Sequence, residues 1–317
     1  MKLKDILNCK LGVAINSENI KNHAPLIVNE FNSVTFENAL KFNYYVNNDL
    51  TFNFVEADNL YDFAIKNNLA VRGHCLVWHN GFPKEILGKL NREELLNIIR
   101  NYTREVAKRY PKIYAWDVVN EIYDMDKKAL RKTPFYEIIG KDYVEQCFKI
   151  AREELGNKVE LYYNEEDEWN KEQINGILKT AKDLLYKNVP IDGIGLQCHI
   201  SCYEDISNYQ ELLQGIRKLG LKCQITEMEV SCYDWTEGNY KQCPKEILKK
   251  QENVYLEMFK LFKEYDDIIN SITFWSLSDA STWRDMWPVE NRKDWPTLFD
   301  EKDKPKEVYK KIISEFI

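Results

Sequence analysis

The chain has 317 residues, 44% hydrophobic and 30% charged, and its 12 Gly and 9 Pro are too few for a collagenous or Pro/Gly-rich disordered protein. No apolar run approaches the ~18 residues that a membrane-spanning helix needs. With 44 basic against 51 acidic residues, net −7, the chain lacks the cationic surplus that binds phosphates, so neither nucleic acid nor a membrane is an expected partner.

In chain order, Met1-Lys2-Leu3-Lys4-Asp5-Ile6 carries basic residues but no apolar stretch of a leader. The expectation is a cytoplasmic protein; the alternative is a secreted one whose leader has been removed. Short apolar runs at 12–15, 33–35 and 70–77 read as strands. A helix follows over 92–108, with Leu95, Leu96, Ile99 and Val106 near helical spacing and Asn91 as its N-cap before Glu93 and Glu94. Strands at 115–120, 160–163, 193–199, 223–230 and 271–275 alternate with helices at 143–154, 172–186 and 247–265. Strand and helix recurring about every 40 residues predict parallel strands joined by crossover helices. Eight such units fit a (β/α)8 TIM barrel, a single domain over 1–317 with its site at the C-terminal strand ends. An open doubly wound sheet is the structural alternative, although no Gly-x-Gly-x-x-Gly marks a dinucleotide site. The acidic stretch 164–168 reads as a solvated loop rather than a calcium site, because no EF-hand spacing follows. Eight Cys are scattered without a Cys-x-x-Cys, several of them in apolar runs. They are expected to be mostly reduced, with Cys198/Cys202 and Cys232/Cys243 as the candidate pairs.

Chemistry gathers at the strand ends. The fourth strand closes on Trp116-Asp117-Val118-Val119-Asn120-Glu121 and the seventh on Gln224-Ile225-Thr226-Glu227-Met228-Glu229. In one barrel, Glu121 and Glu227 face each other across the mouth. Two such carboxylates, one protonated and one ionised, are the minimum for splitting a glycosidic bond. The plainer reading is a buried acid paired with Lys or Arg at each place. Strand alternation puts Gln197 and His199 on one face, and Glu227 and Glu229 on one face. His199 is then placed between two carboxylates, held by Glu229 and touching Glu227. His74 and His79, five positions apart, point opposite ways along a regular strand, and neither His-Glu-x-x-His nor His-x-His occurs. No metal and no cofactor are expected.

Several blocks then align in order. They are Val34-Thr35-Phe36-Glu37-Asn38-Ala39-Leu40-Lys41, Gly73-His74-Cys75-Leu76-Val77-Trp78-His79 and Trp116 to Glu121. Ile191 to His199, Ile225-Thr226-Glu227, Phe274-Trp275, Leu298-Phe299-Asp300 and Lys304-Pro305-Lys306 continue the series. Together they resemble glycoside hydrolase family 10, the β-1,4-xylanases, over nearly the whole chain. The resemblance implies a (β/α)8 barrel and retaining endo-hydrolysis of xylan or xylo-oligosaccharides, with Glu121 as acid/base and Glu227 as nucleophile. It implies that Glu37, Asn38 and Lys41 bind the sugar upstream of the cut. It further implies that His74, Trp78, Asn120, Gln197 and His199 hold the reacting sugar between Trp275 and Trp283.

The chain departs from the family pattern at several points. Asn80-Gly81-Phe82-Pro83 lacks a rim glutamine, and Asn164-Glu165-Glu166 loses an aromatic platform on the leaving-group side. Glu229 replaces a shorter acid, Phe36 replaces a Pro, and Ser276-Leu277 replaces a Gly-containing turn. Tyr233, Trp235 and Tyr240 follow the seventh strand; they either rebuild a leaving-group subsite or pack against the rim. The alternatives to a xylanase are a related barrel glycosidase acting on β-glucans and a non-catalytic carbohydrate-binding barrel.

Overall fold

The computed structural model describes residues 1–41, 51–81 and 88–316. Eight parallel strands form its centre: β1 (Lys10–Ile15), β2 (Ser33–Phe36), β3 (Ala70–Gly73), β4 (Ile113–Asn120), β5 (Glu160–Glu165), β6 (Gly193–Leu196), β7 (Lys222–Ser231) and β8 (Ile269–Phe274). Each pairs with the next, and β8 pairs with β1, so the sheet closes without an edge. The fold is the (β/α)8 barrel expected from the alternation of apolar runs and helices.

The helices start and stop where local chemistry directs. In the helix Arg92–Arg109, the Asn91 side chain accepts from the Glu94 amide while the Glu94 carboxylate accepts from the Asn91 amide. A reciprocal cap of this kind contributes about 1 kcal/mol. Leu95, Ile99, Tyr102 and Val106 are the buried stripe of this helix. The helices Tyr143–Leu155, Lys171–Tyr186 and Lys245–Glu264 lie within two residues of their expected bounds. All eight cysteines are free thiols. Among the described residues, no helix is long and apolar enough to cross a membrane.

Inside the barrel lies a buried polar column. Arg72 donates to Gln224 through Nε at 2.6 Å and makes a two-pronged contact with Asp117. Asp117 also meets His74 Nδ1 at 2.8 Å. Burial alone would raise the Asp117 carboxyl, but Arg72 and His74 outweigh it and hold the group below the usual carboxylate range. An unpaired charge here would be strongly destabilising, so the pair is a fixed base for what stands above it.

Three expectations need correction. The run 70–77 is not one strand: β3 ends at Gly73, a cis peptide joins His74 to Cys75, and pairing resumes only at Val77–Trp78 against β4. The run 193–199 also breaks, because Cys198 takes a left-handed φ of 59° before His199–Ser201 pairs with the end of β7. The stretch 164–168 is not a solvated loop. Asn164 and Glu165 end β5, and the buried Glu165 carboxylate accepts from the Ile122 and Tyr123 amides at 2.7 and 2.8 Å. Those amides follow the end of β4, and the inward-pointing acid supplies the acceptor that buried backbone donors require. Phe82 and Pro83 lie outside the described residues.

Candidate active site

At the C-terminal strand ends opens a cleft of about 370 Å³. Every catalytic or sugar-contacting residue expected from the sequence lines it. Glu37, Asn38 and Lys41 come from beyond β2, His74 and Trp78 from beyond β3, and Asn120 and Glu121 from β4. Gln197 and His199 follow β6, Glu227 stands on β7, and Trp275 and Trp283 follow β8. Glu229 stands behind them, buried.

Straight-strand alternation would send Asn120 and Glu121 to opposite faces. A left-handed φ of 56° at Glu121 breaks the alternation, and both side chains enter the cleft. Such a backbone state costs on the order of 1 kcal/mol, and non-glycine cases concentrate at functional sites.

The two carboxylates have different company. Glu121 accepts from three neutral donors: Trp78 Nε1 at 2.8 Å, Asn120 Nδ2 at 2.9 Å and Gln197 Nε2 at 3.1 Å. Glu227 accepts from Asn164 Nδ2 at 2.9 Å and faces His199 Nε2 at 3.3 Å, with His74 Nδ1 at 4.0 Å. Burial pushes the Glu227 carboxyl up, but His74, His199 and Lys41 more than reverse this and hold it below the usual range. Glu227 is therefore ionised at neutral pH.

One amide links the two groups. Asn164 Nδ2 donates both to Glu227 and, at 2.7 Å, to Asn120 Oδ1, while its oxygen accepts from Thr226 Oγ1 at 2.7 Å. Asn164 has room because residue 195 is glycine: a Cβ there would stand 2.3 Å from Asn164 Oδ1. The neighbouring strands thus fix the spacing of the carboxylates.

His199 lies between Glu229 Oε1, at 2.9 Å from Nδ1, and Glu227. Burial would lower its pKa, but the Glu229 charge and hydrogen bonds to both acids win and raise it to about 9. With a carboxylate at each nitrogen, the ring is a cation over the neutral range. Glu229 is itself tied by Arg284 Nε at 2.7 Å, Trp283 Nε1 at 2.9 Å and Ser276 Oγ at 3.1 Å.

This cation has a stability consequence. Because its folded pKa, about 9, stands above the ordinary 6.5, its contribution is complete below about pH 6.5 and is lost as pH rises through 9. A shift of that size is worth on the order of 3 kcal/mol. The Tm gap between the unmodified protein and His199→Gln is therefore expected to be widest near pH 6 and to shrink toward pH 10. A gap that does not change across that range would show that His199 carries no such charge.

The sugar-facing surface combines flat rings with hydroxyl ligands. Lys41 Nζ donates to Asn38 Oδ1 at 3.1 Å and lies 4.7 Å from the Trp78 ring and 5.4 Å from Trp275. Glu37 Oε2 accepts from Asn16 Nδ2 at 2.7 Å. Among the described residues, no group of three or more His, Cys, Asp and Glu is placed to hold a metal ion.

Sequence reasoning missed several parts of the site. Asn164 and the Arg72–Asp117 pair act through residues it did identify. Glu166 and Asp167 also line the cleft. Burial, reinforced by Glu121 and Asp167, pushes Glu166 up to about 9 although Arg131 contacts it at 3.3 Å. Trp287 also lines the cleft, and no sequence signal singled it out. Of the three aromatics after β7, only Trp235 lines the cleft; Tyr233 and Tyr240 stack on each other at 5.1 Å and pack behind it.

A model of the family described as Glycosyl hydrolase family 10 matches residues 3–315. Endo-1,4-beta-xylanase A of Caldicellulosiruptor saccharolyticus is 37% identical over 317 residues, spanning 96% of this chain and 92% of that protein. The beta-1,4-xylanase of Dictyoglomus thermophilum is 35% identical over 311 residues, spanning 96% and 87%. Among solved structures, a point mutant in complex with xylotriose superposes with a TM-score of 0.95 at 33% identity, covering 99% of each chain. An endo-1,4-beta-xylanase from Caldicellulosiruptor owensensis superposes with a TM-score of 0.93 at 36% identity, covering 98% and 97%.

Proposed function

The chain belongs to glycosyl hydrolase family 10, and from that premise we propose that it is a retaining endo-β-1,4-xylanase with Glu227 as nucleophile and Glu121 as general acid/base. The observation that carries the assignment is the unequal company of the two acids. Glu227 is held ionised among His199, His74 and Lys41, whereas Glu121 is held only by neutral donors.

Double displacement needs one ionised acid and one that carries a proton, and Glu227 is the ionised one. Glu227 attacks the anomeric carbon while Glu121 hands its proton to the departing glycosidic oxygen, leaving a glycosyl-enzyme ester on Glu227. Glu121, now a carboxylate, takes a proton from water, which attacks the same carbon and releases Glu227. Two displacements return the original β configuration. Asn120, hydrogen-bonded to both Glu121 and Asn164, is placed to donate to the sugar 2-hydroxyl, a contact that strengthens as positive charge develops on the ring. Trp78, Trp275 and Trp283 supply ring faces for an uncharged sugar.

The test is product analysis by proton NMR on linear xylo-oligosaccharides, with cello-oligosaccharides run in parallel. The expected result is fresh β-anomer from xylo-oligosaccharides cut internally, and a much slower reaction on the glucose series. First-formed α-anomer would reject double displacement. Faster turnover of the glucose series would favour the β-glucanase alternative.

A further inference from the structure

Glu168 is 1% exposed and takes no part in the two displacements. It is the last of the acidic stretch 164–168 and stands in the loop between β5 and the helix Lys171–Tyr186. A buried carboxyl is costly to keep, so its contacts are informative. Both of its oxygens accept from the backbone amide of Cys198 at 3.4 Å, and Oε2 also accepts from the Tyr209 hydroxyl at 3.3 Å. Tyr209 is itself buried, on the helix Asn208–Lys218. Burial, reinforced by Asp167, outweighs the amides that meet the Glu168 carboxyl and pushes it up to about 8, so the group is largely neutral at pH 7.

We propose that Glu168 is a positioning residue for the reaction: it holds the turn at Cys198 that carries Gln197 to the acid/base and His199 to the nucleophile. The roles of those two acids rest on the xylanase reading. Cys198 stands on a left-handed φ of 59°, a state that a non-glycine residue keeps only where its surroundings require it. The neighbouring strands satisfy the other backbone groups of the turn. The Gln197 amide donates to the Glu165 carbonyl at 2.9 Å, the Gln197 carbonyl accepts from the Glu227 amide at 3.1 Å, and the Cys198 carbonyl accepts from the Glu229 amide at 3.2 Å. The Cys198 amide finds its acceptor in Glu168 instead.

Each side of the turn reaches one of the two acids. Gln197 Nε2 donates to Glu121 Oε1 at 3.1 Å, while His199 faces Glu227 at 3.3 Å with Glu229 at its other nitrogen. Without Glu168 the buried Cys198 amide would be an unmet donor, and the turn relieves that only by moving. Both side chains move with it, and a displacement of about 1 Å at a reacting centre can cost about 100-fold in rate. Packing alone accounts poorly for the acid. An apolar side chain would fill the same space at a lower desolvation cost, so Glu168 is kept for what it accepts.

The test compares Glu168→Leu, which keeps the bulk and removes the acceptor, with Glu168→Gln, which keeps the acceptor and matches the neutral acid. Active sites are counted by the burst from a dinitrophenyl 2-fluoro-β-xylobioside, so unfolded protein does not enter kcat. Glu168→Leu is expected to lower kcat per counted site on xylopentaose by about 10- to 100-fold, with KM within about threefold. Glu168→Gln should restore most of the loss. In Glu168→Leu the His199 ring, followed by NMR among the four histidines, should titrate about one unit or more below its value of about 9, because loosened carboxylate contacts favour the cation less. A role in folding alone would lower Tm and leave both readings in place. An unchanged kcat per site, or an unchanged His199 titration, would overturn the proposal. If Glu168→Leu does not fold, Glu168→Asp, one methylene shorter and so withdrawn from the Cys198 amide, is read by the same two criteria. The ring titration needs no substrate. An unmodified protein that does not cut xylopentaose would overturn the xylanase reading and leave the titration to judge the turn.

Discussion

Replacing Glu227 with Ala is expected to lower kcat on xylo-oligosaccharides by about 10⁴-fold or more while leaving xylo-oligosaccharide binding close to that of the unmodified protein. The size follows from the absence of a substitute. Glu229, the nearest other acid on β7, is engaged by Arg284, Trp283, Ser276 and His199. Glu121 is required at the departing oxygen. Binding is spared because Lys41, Asn38, Gln197 and the tryptophans are untouched, and the lost group acts chiefly in the transition state. The cavity left by the side chain also gives a positive readout. Azide, admitted from the nucleophile's side, should convert an activated aryl β-xylobioside to the α-glycosyl azide. Rates on xylopentaose within about tenfold of the unmodified enzyme would remove Glu227 from the nucleophile's role.

The barrel was legible because parallel strands buried on both faces read as apolar runs, with helical stretches at 92–108, 143–154, 172–186 and 247–265 falling between them. Glu121 and Glu227 were legible because an acid that ends such a run is expected at the active face of a barrel. The backbone breaks were not. Glu121 and Cys198 take a left-handed φ and β3 ends before His74, and one-dimensional alternation carries no sign of that. Gln197 and His199 would share a face on a continuous strand; both do reach the cleft, but across a left-handed turn at Cys198.

Long-range partners were the other blind spot. Arg284 is 55 positions from Glu229, and only the closing of the loop after β8 brings them together. The same loop explains how the longer acid at 229 is accommodated. Its carboxylate is met by donors from residues 276, 283 and 284 as well as by His199. The acidic stretch 164–168 misled for a related reason. Five polar residues in a row look solvated, yet the amides that follow β4 need acceptors, and Glu165 provides one from the interior.

Replacing Glu121 with Ala should separate the two displacements. On xylo-oligosaccharides, whose departing sugar oxygen needs a proton, kcat/KM is expected to fall by about 10²- to 10⁴-fold. On a dinitrophenyl β-xylobioside the leaving group departs unprotonated, so attack by Glu227 continues and that first step is nearly spared. The second step is not spared, because no base remains to activate water. The variant should therefore release a burst of dinitrophenolate equal to the enzyme present and then slow, with a xylobiosyl ester on Glu227 detectable by intact mass. Azide, which needs no base, should relieve the block and give the β-glycosyl azide, the configuration opposite to that from Glu227→Ala. Opposite products from the two variants would follow directly from one acid standing on each side of the anomeric carbon. If the Glu121→Ala loss were the same for good and poor leaving groups, Glu121 would not be the proton donor, and the donors around it, Trp78, Asn120 and Gln197, would have to be serving substrate binding instead.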